Sequence, residues 1–139
     1  MKPFLTAMTV SLLLLLSFNG YAQGPGKANP AKKNLVLKEW NTDAKGGNRR
    51  LDHITTYNAD GKKVEEIEYD SEGQKWRKRY EYTALRCTKE MVYDNRNRLI
   101  TIKKFEYDAA GRKKTQYNYD AKGHLLTIKN FEYLTSNAE

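Results

Sequence analysis

One recurring spacing constrains this chain more than anything else in it. A Tyr followed by Asp or Asn, two variable residues and then Gly or Asn stands at residues 69–73, 93–97, 107–111 and 119–123, and residues 57–61 fit the same template with Asn58 and Gly61. Residues 82–86 form a degenerate copy that lacks both the acid and the glycine. Asp or Asn at the first turn position bonds forward to the backbone, and Gly supplies the positive-φ residue that closes a type I turn with a G1 bulge. Asn97 is the substitute that best tolerates that conformation. The spacing therefore predicts a series of tight hairpins, and an internal copy supports it: residues 99–107 return 26 positions later as 125–133, with seven of nine residues identical.

The segments between turns read as strands over 62–69, 74–82, 87–93, 98–107, 112–119 and 124–133, preceded by 35–40 and 49–57. No connection after Tyr57 is long enough for a crossover, so neighbours must be antiparallel. The expected fold is all-β: an antiparallel meander of about eight strands, forming a curled sheet or a barrel. If Asp108 pairs with Arg112 around a three-residue loop, simple alternation sets Phe105 opposite Thr115 and Lys103 opposite Tyr117. Every strand-end Tyr then shares one face with Ile67, Tyr80, Met91, Phe105, Tyr117 and Phe131, and Lys78, Lys89, Lys103 and Lys129 cross it. The reverse face would carry Glu66, Glu68, Arg77, Arg79, Glu81, Glu90, Lys104, Glu106, Lys114 and Glu132 as a solvated charge ladder. Ile100, Ile102, Leu126 and Ile128 fall on that polar face, which calls for a cover from 35–37 or from a second subunit.

Residues 1–22 read as a signal peptide: Lys2 is the only charge, an apolar run spans 4–18, and small residues at Gly20 and Ala22 mark a cleavage site. The run is short for a membrane span, which needs about 20 apolar residues, so the mature chain is expected to have none. Residues 23–34 are expected to be a flexible linker and 35–139 the β domain. Cleavage lowers the formal charge only from +8 to +7, so the basic surface belongs to the exported part. The destination is the periplasm or the extracellular space. Cys87 is the single cysteine, so no intramolecular disulfide forms and a buried thiol is expected.

The punctuation at 69–73, 107–111 and 119–123 resembles the YD repeats of Rhs-type bacterial surface and toxin proteins. The resemblance covers most of the mature chain, from Tyr57 to Tyr133. It implies β-hairpins wound into a strip or shell, carbohydrate binding, and no chemistry in the repeats themselves. The chain departs from that family's long arrays in having few repeats and no toxin domain.

Nothing in the residues signals catalysis. His53 and His124 stand apart from each other and from Cys87, which suits solvent-exposed strand histidines better than a nucleophilic pair or a zinc site. Each turn Asp is accounted for by its turn rather than by calcium. No cofactor is expected. Glu66, Glu68, Glu81, Glu90, Glu106 and Glu132 supply carboxylates for a small glycan hydrolase, but they alternate with Lys and Arg as cross-strand ion pairing requires. The main expectation is a non-enzymatic exported repeat protein of the cell envelope that binds or scaffolds. The alternatives are that hydrolase, or an accessory or remnant of a larger YD-repeat system. Partners would be an acidic polysaccharide or another envelope protein; export disfavours nucleic acid. On an open sheet Trp76, Tyr80, Tyr82, Phe105, Tyr107 and Tyr117 would stack on sugar rings while Lys78, Lys89 and Lys103 met their acidic groups.

Overall fold

The computed structural model describes residues 27–136. The expected signal peptide and the first part of the expected linker lie outside the described residues. A 3₁₀ turn at Pro30–Lys32 precedes eight strands: β1 (Val36–Asn41), β2 (Arg50–Tyr57), β3 (Lys63–Asp70), β4 (Gly73–Thr83), β5 (Arg86–Tyr93), β6 (Leu99–Tyr107), β7 (Lys113–Asp120) and β8 (Leu125–Asn130). They form one antiparallel sheet in sequence order, so the meander stands as expected. The sheet is open rather than a barrel, with β1 and β8 as its two edges. The last strand stops at Asn130, short of the expected Tyr133.

The turns follow the local chemistry. Gly111 and Gly123 have φ of 81° and 86°, and Asn97, at 58°, takes the glycine's place. Asp108 N–H donates to the Arg112 carbonyl at 2.8 Å and Gly111 N–H to the Asp108 carbonyl at 2.9 Å, which is the three-residue loop closed by a left-handed residue. Asp94 and Asp120 build the same geometry, while the β3–β4 turn is tighter, with Asp70 paired to Gly73.

The pairing between turns departs from simple alternation at one repeated point. Tyr107 pairs with Lys113 but Glu106 with Thr115, so Lys114 is an extra residue. The same insertion occurs at Val64, Lys75, Thr88, Ile100 and Leu126, and at Asp52 in β2. Each is a β-bulge near the start of the incoming strand, and each moves that strand's side chains by one face. Phe105 therefore meets Gln116, and Lys103 meets Asn118. The expectation that all strand-end tyrosines share a face is corrected. Tyr57, Tyr82 and Tyr107 lie on one face, called here the front, at one end of the sheet; Tyr69, Tyr93 and Tyr119 lie on the back at the other end. Ile102 and Ile128 are likewise no anomaly, because the back face also holds Ile54, Ile67, Met91 and Tyr117.

Flipping parity at every hairpin distributes apolar and charged side chains over both faces, so neither face is apolar enough to close on itself. The result is a single layer. Phe105 is the one buried apolar side chain among the described residues, with Thr55 and Thr115 also buried. Stability must come from the strand ladders and cross-strand pairs rather than from a core. Tyrosine hydroxyls add a repeated cross-tie: Tyr82 donates to the Lys63 carbonyl at 2.7 Å, Tyr107 to that of Cys87 at 2.6 Å, and Tyr133 to that of Lys113 at 2.8 Å. Tyr82 and Tyr107 tie the far end of a hairpin's second strand to the start of its first, and Tyr133, three residues past the end of β8, reaches the start of β7 in the same way.

The described end of the expected linker is not free of the domain. Asn29 N–H donates to the Asp60 carbonyl and Asn34 N–H to that of Asn58, both at 2.9 Å, so residues 29–34 dock on the β2–β3 turn. The docking is tight: a Cβ at Gly61 would overlap the Asn29 carbonyl.

Candidate functional site

Register places Trp76, Lys78, Tyr80, Tyr82, Lys103, Phe105 and Tyr107 on the front face, and Lys89 and Tyr117 on the back. The aromatic strip expected from the sequence is thus corrected at those two positions, where bulges in β5 and β7 reverse the side-chain direction. On the back, Lys89 pairs with Glu81 at 3.3 Å, and the Tyr117 hydroxyl donates to Glu106 at 3.2 Å.

Most of the remaining strip is engaged within the sheet. Tyr80 donates its hydroxyl to the Glu66 carboxylate, which also accepts from Lys63 Nζ at 2.7 Å. Burial pushes the Glu66 carboxyl up, but the bonds from Lys63 and Tyr80 outweigh it and hold the group below its ordinary range. Burial, then the bond to Glu66, raises the Tyr80 phenol. Burial pushes the Tyr82 phenol up to about 12. Lys103 Nζ lies 2.9 Å from Glu90, and Lys113 covers the Phe105 ring at 4.2 Å. The bulges at Val64 and Thr88 set Glu66, Glu68 and Glu90 on the front face, not on the charge ladder that simple alternation predicts.

Trp76 and Lys78 differ from the rest. Lys78 Nζ sits 4.6 Å from the Trp76 ring, a cation–π pair with no acid in it. The His53 ring meets Trp76 edge-on at 5.7 Å, and His53 Nε2 lies 3.7 Å from Glu66. His53 is therefore half-buried at this end of the front face, not the solvent-exposed histidine expected, because β2 sets it opposite Glu68, which in turn faces Trp76. No sequence signal tied His53 to Trp76, since the contact spans two strand registers. His124 stays exposed, with Nδ1 2.9 Å from the Asp120 carboxylate.

The remaining candidate chemistry is dispersed. Glu66, Glu68 and Glu90 face the front while Glu81 and Glu106 face the back, and each bonds a neighbouring Lys or Tyr. Cys87 is half-buried, its Sγ 3.5 Å from the Lys89 carbonyl, and burial pushes its thiol up, which disfavours the reactive thiolate. Among the described residues no group of three or more His, Cys, Asp or Glu is placed to hold a metal, and no helix is long and apolar enough to cross a membrane.

No family model and no curated protein matches the sequence. Among solved structures, the chain is similar to a mutant of S. aureus TarM in complex with fondaparinux, α-GlcNAc-glycerol and UDP, at 12% identity and a TM-score of 0.29. That likeness covers 76% of this chain and 23% of the TarM chain, and carries no argument about this chain's activity.

Proposed function

We propose that this chain is a non-enzymatic exported repeat protein of the YD-repeat kind, a single-layer strip that binds and scaffolds in the periplasm or at the cell surface. The ligand class we assign is acidic glycan, engaged at the Trp76–Lys78 end of the front face. The observation that carries the reading is the Lys78–Trp76 pair on an open sheet: a ring that can stack on a sugar and a cation that can meet its carboxylate or sulfate stand 4.6 Å apart. Two other front-face cations, Lys63 and Lys103, already pair with Glu66 and Glu90. The Glu residues that a glycan hydrolase would use are split between the faces and committed to neighbouring partners, which favours binding over hydrolysis.

The test is a titration of the full chain with acidic and neutral glycans at low and high salt. Binding is expected for acidic glycans and should weaken steeply with salt, because exposed charges are screened beyond about 8 Å at physiological ionic strength. Lys78→Gln should reduce affinity severalfold and leave the circular dichroism spectrum unchanged. No binding at low salt, or binding indifferent to both salt and Lys78→Gln, removes the glycan assignment.

A further inference from the structure

The two edges of the sheet complement one another. Strand β8 repeats most of β6, yet β6 has β7 on its outer side whereas, among the described residues, β8 has no strand beyond it. Its side chains are exposed throughout, as are those of β1. Open edges of this length are templates for strand addition. Because the sheet has eight strands in meander order, β1 and β8 run antiparallel. A second copy displaced along the sheet would bring its β1 beside β8 in the same antiparallel sense as every pair inside the molecule.

Backbone and side chains agree on one register. Phe131 N–H donates inward to the Lys114 carbonyl, so by alternation Thr127 and Lys129 also turn inward, leaving the N–H and C=O of Ile128 and Asn130 for the open edge. At the other edge the Leu35 carbonyl accepts from Tyr57 N–H, so Val36, Lys38 and Trp40 turn their backbone outward. Setting Ile128 against Trp40 and Asn130 against Lys38 joins outward-facing residues on both strands. It also sets Lys129 against Glu39, both on the front face, and Phe131 against Leu37. The apolar partners are exposed in the single chain, Ile128 by 53% and Trp40 by 44%. Symmetric pairing of β8 with itself would instead bring together two strands whose only charge is Lys129.

We propose that the chain assembles head to tail, with β8 of one copy adding to β1 of the next and continuing the sheet from molecule to molecule. Such a contact is heterologous, so it propagates rather than stopping at a dimer. It goes beyond the glycan assignment and stands without it.

Sedimentation velocity of the full chain over a wide concentration range tests the proposal. The weight-average sedimentation coefficient should rise with concentration past that of a dimer. Lys129→Glu and Glu39→Lys should each weaken assembly, by about five-fold for a charge pair worth about 1 kcal/mol. An equimolar mixture of the two variants should restore it, because junctions between unlike variants then join opposite charges. Ile128→Pro should abolish assembly with the circular dichroism spectrum retained, since it removes an N–H that faces the open edge and not β7. A chain that stays monomeric at all concentrations overturns the proposal. So does a dimer that grows no further, or assembly that ignores both charge reversals and gains nothing from the mixture.

Discussion

The β6–β7 and β4–β5 turns connect the same kind of strands by opposite means. Asp108 wires its turn: one carboxylate oxygen accepts from Arg112 N–H and the other from Arg112 Nε, each at 2.9 Å, and Gly111 takes the left-handed position at φ 81°. The β4–β5 turn has neither device. Ala84 and Leu85 bridge Thr83 and Arg86 with φ of 48° and 62°, a conformation that costs an L-residue roughly 1–2 kcal/mol. That turn is held from outside, by the ladder of β4 and β5 and by the bond from the Tyr107 hydroxyl to the carbonyl of Cys87, just after the turn. Strand pairing and the tyrosine cross-tie can therefore enforce a hairpin that the local sequence does not favour.

If so, the largest gain is at the bare turn. Replacing Ala84 with Asn and Leu85 with Gly, the residues a two-residue hairpin loop prefers, should stabilise the domain by about 2 kcal/mol, read as a raised urea midpoint with an unchanged slope. No gain would mean that the turn carries no strain and that the contrast between the two designs is false.

A smaller effect, in the opposite direction, is expected at the wired turns. Gly111→Ala and Gly123→Ala should each cost about 1 kcal/mol for the positive φ alone. The two losses should be similar, because a Cβ at Gly111 would meet only the flexible end of the Arg86 side chain and nothing lies within 4 Å of one at Gly123. Ala110→Ser, which requires no change of backbone, should cost little. Equal losses at all three positions would show that the glycines are not what closes these turns.

The turns were legible because their chemistry is local. Asp108, Gly111 and Arg112 find one another within five residues, and the strand bounds between turns follow to within one residue except at β8. The faces were not legible. Whether Lys114 or Leu126 is counted as an extra residue depends on how a strand pairs with its neighbour, and nothing in either strand alone marks the bulge. That single ambiguity misplaced Lys89 and Tyr117 in the candidate site. It also put Glu66, Glu68 and Glu90 on the wrong side and hid the place of His53 against Trp76. The docking of residues 29–34 was invisible for a related reason, since it rests on Asn29 meeting Asp60 across the hairpin.

The smallest effect isolates the charge in the wired turns from their geometry. Asp94, Asp108 and Asp120 are all held below the ordinary carboxylate range, first by the backbone N–H four residues on and then by the side chain of that same residue. A carboxylate whose folded pKa lies below its unfolded value, about 3.9, stabilises the fold fully above that value and loses the contribution as pH falls through the folded one. Asn58 supplies the uncharged comparison within the same molecule: its side-chain oxygen accepts from Asp60 and Lys62 N–H at 3.0 and 2.9 Å. Replacing Asp94, Asp108 and Asp120 together with Asn should keep that geometry and remove only the charge. Urea midpoints should then separate the two proteins above about pH 5, with the native chain the more stable, and converge as pH falls below about 4. A separation that persists unchanged to about pH 2, below the usual carboxylate range, would mean that the carboxylates act through shape alone, and that the wired turns owe nothing to their charge.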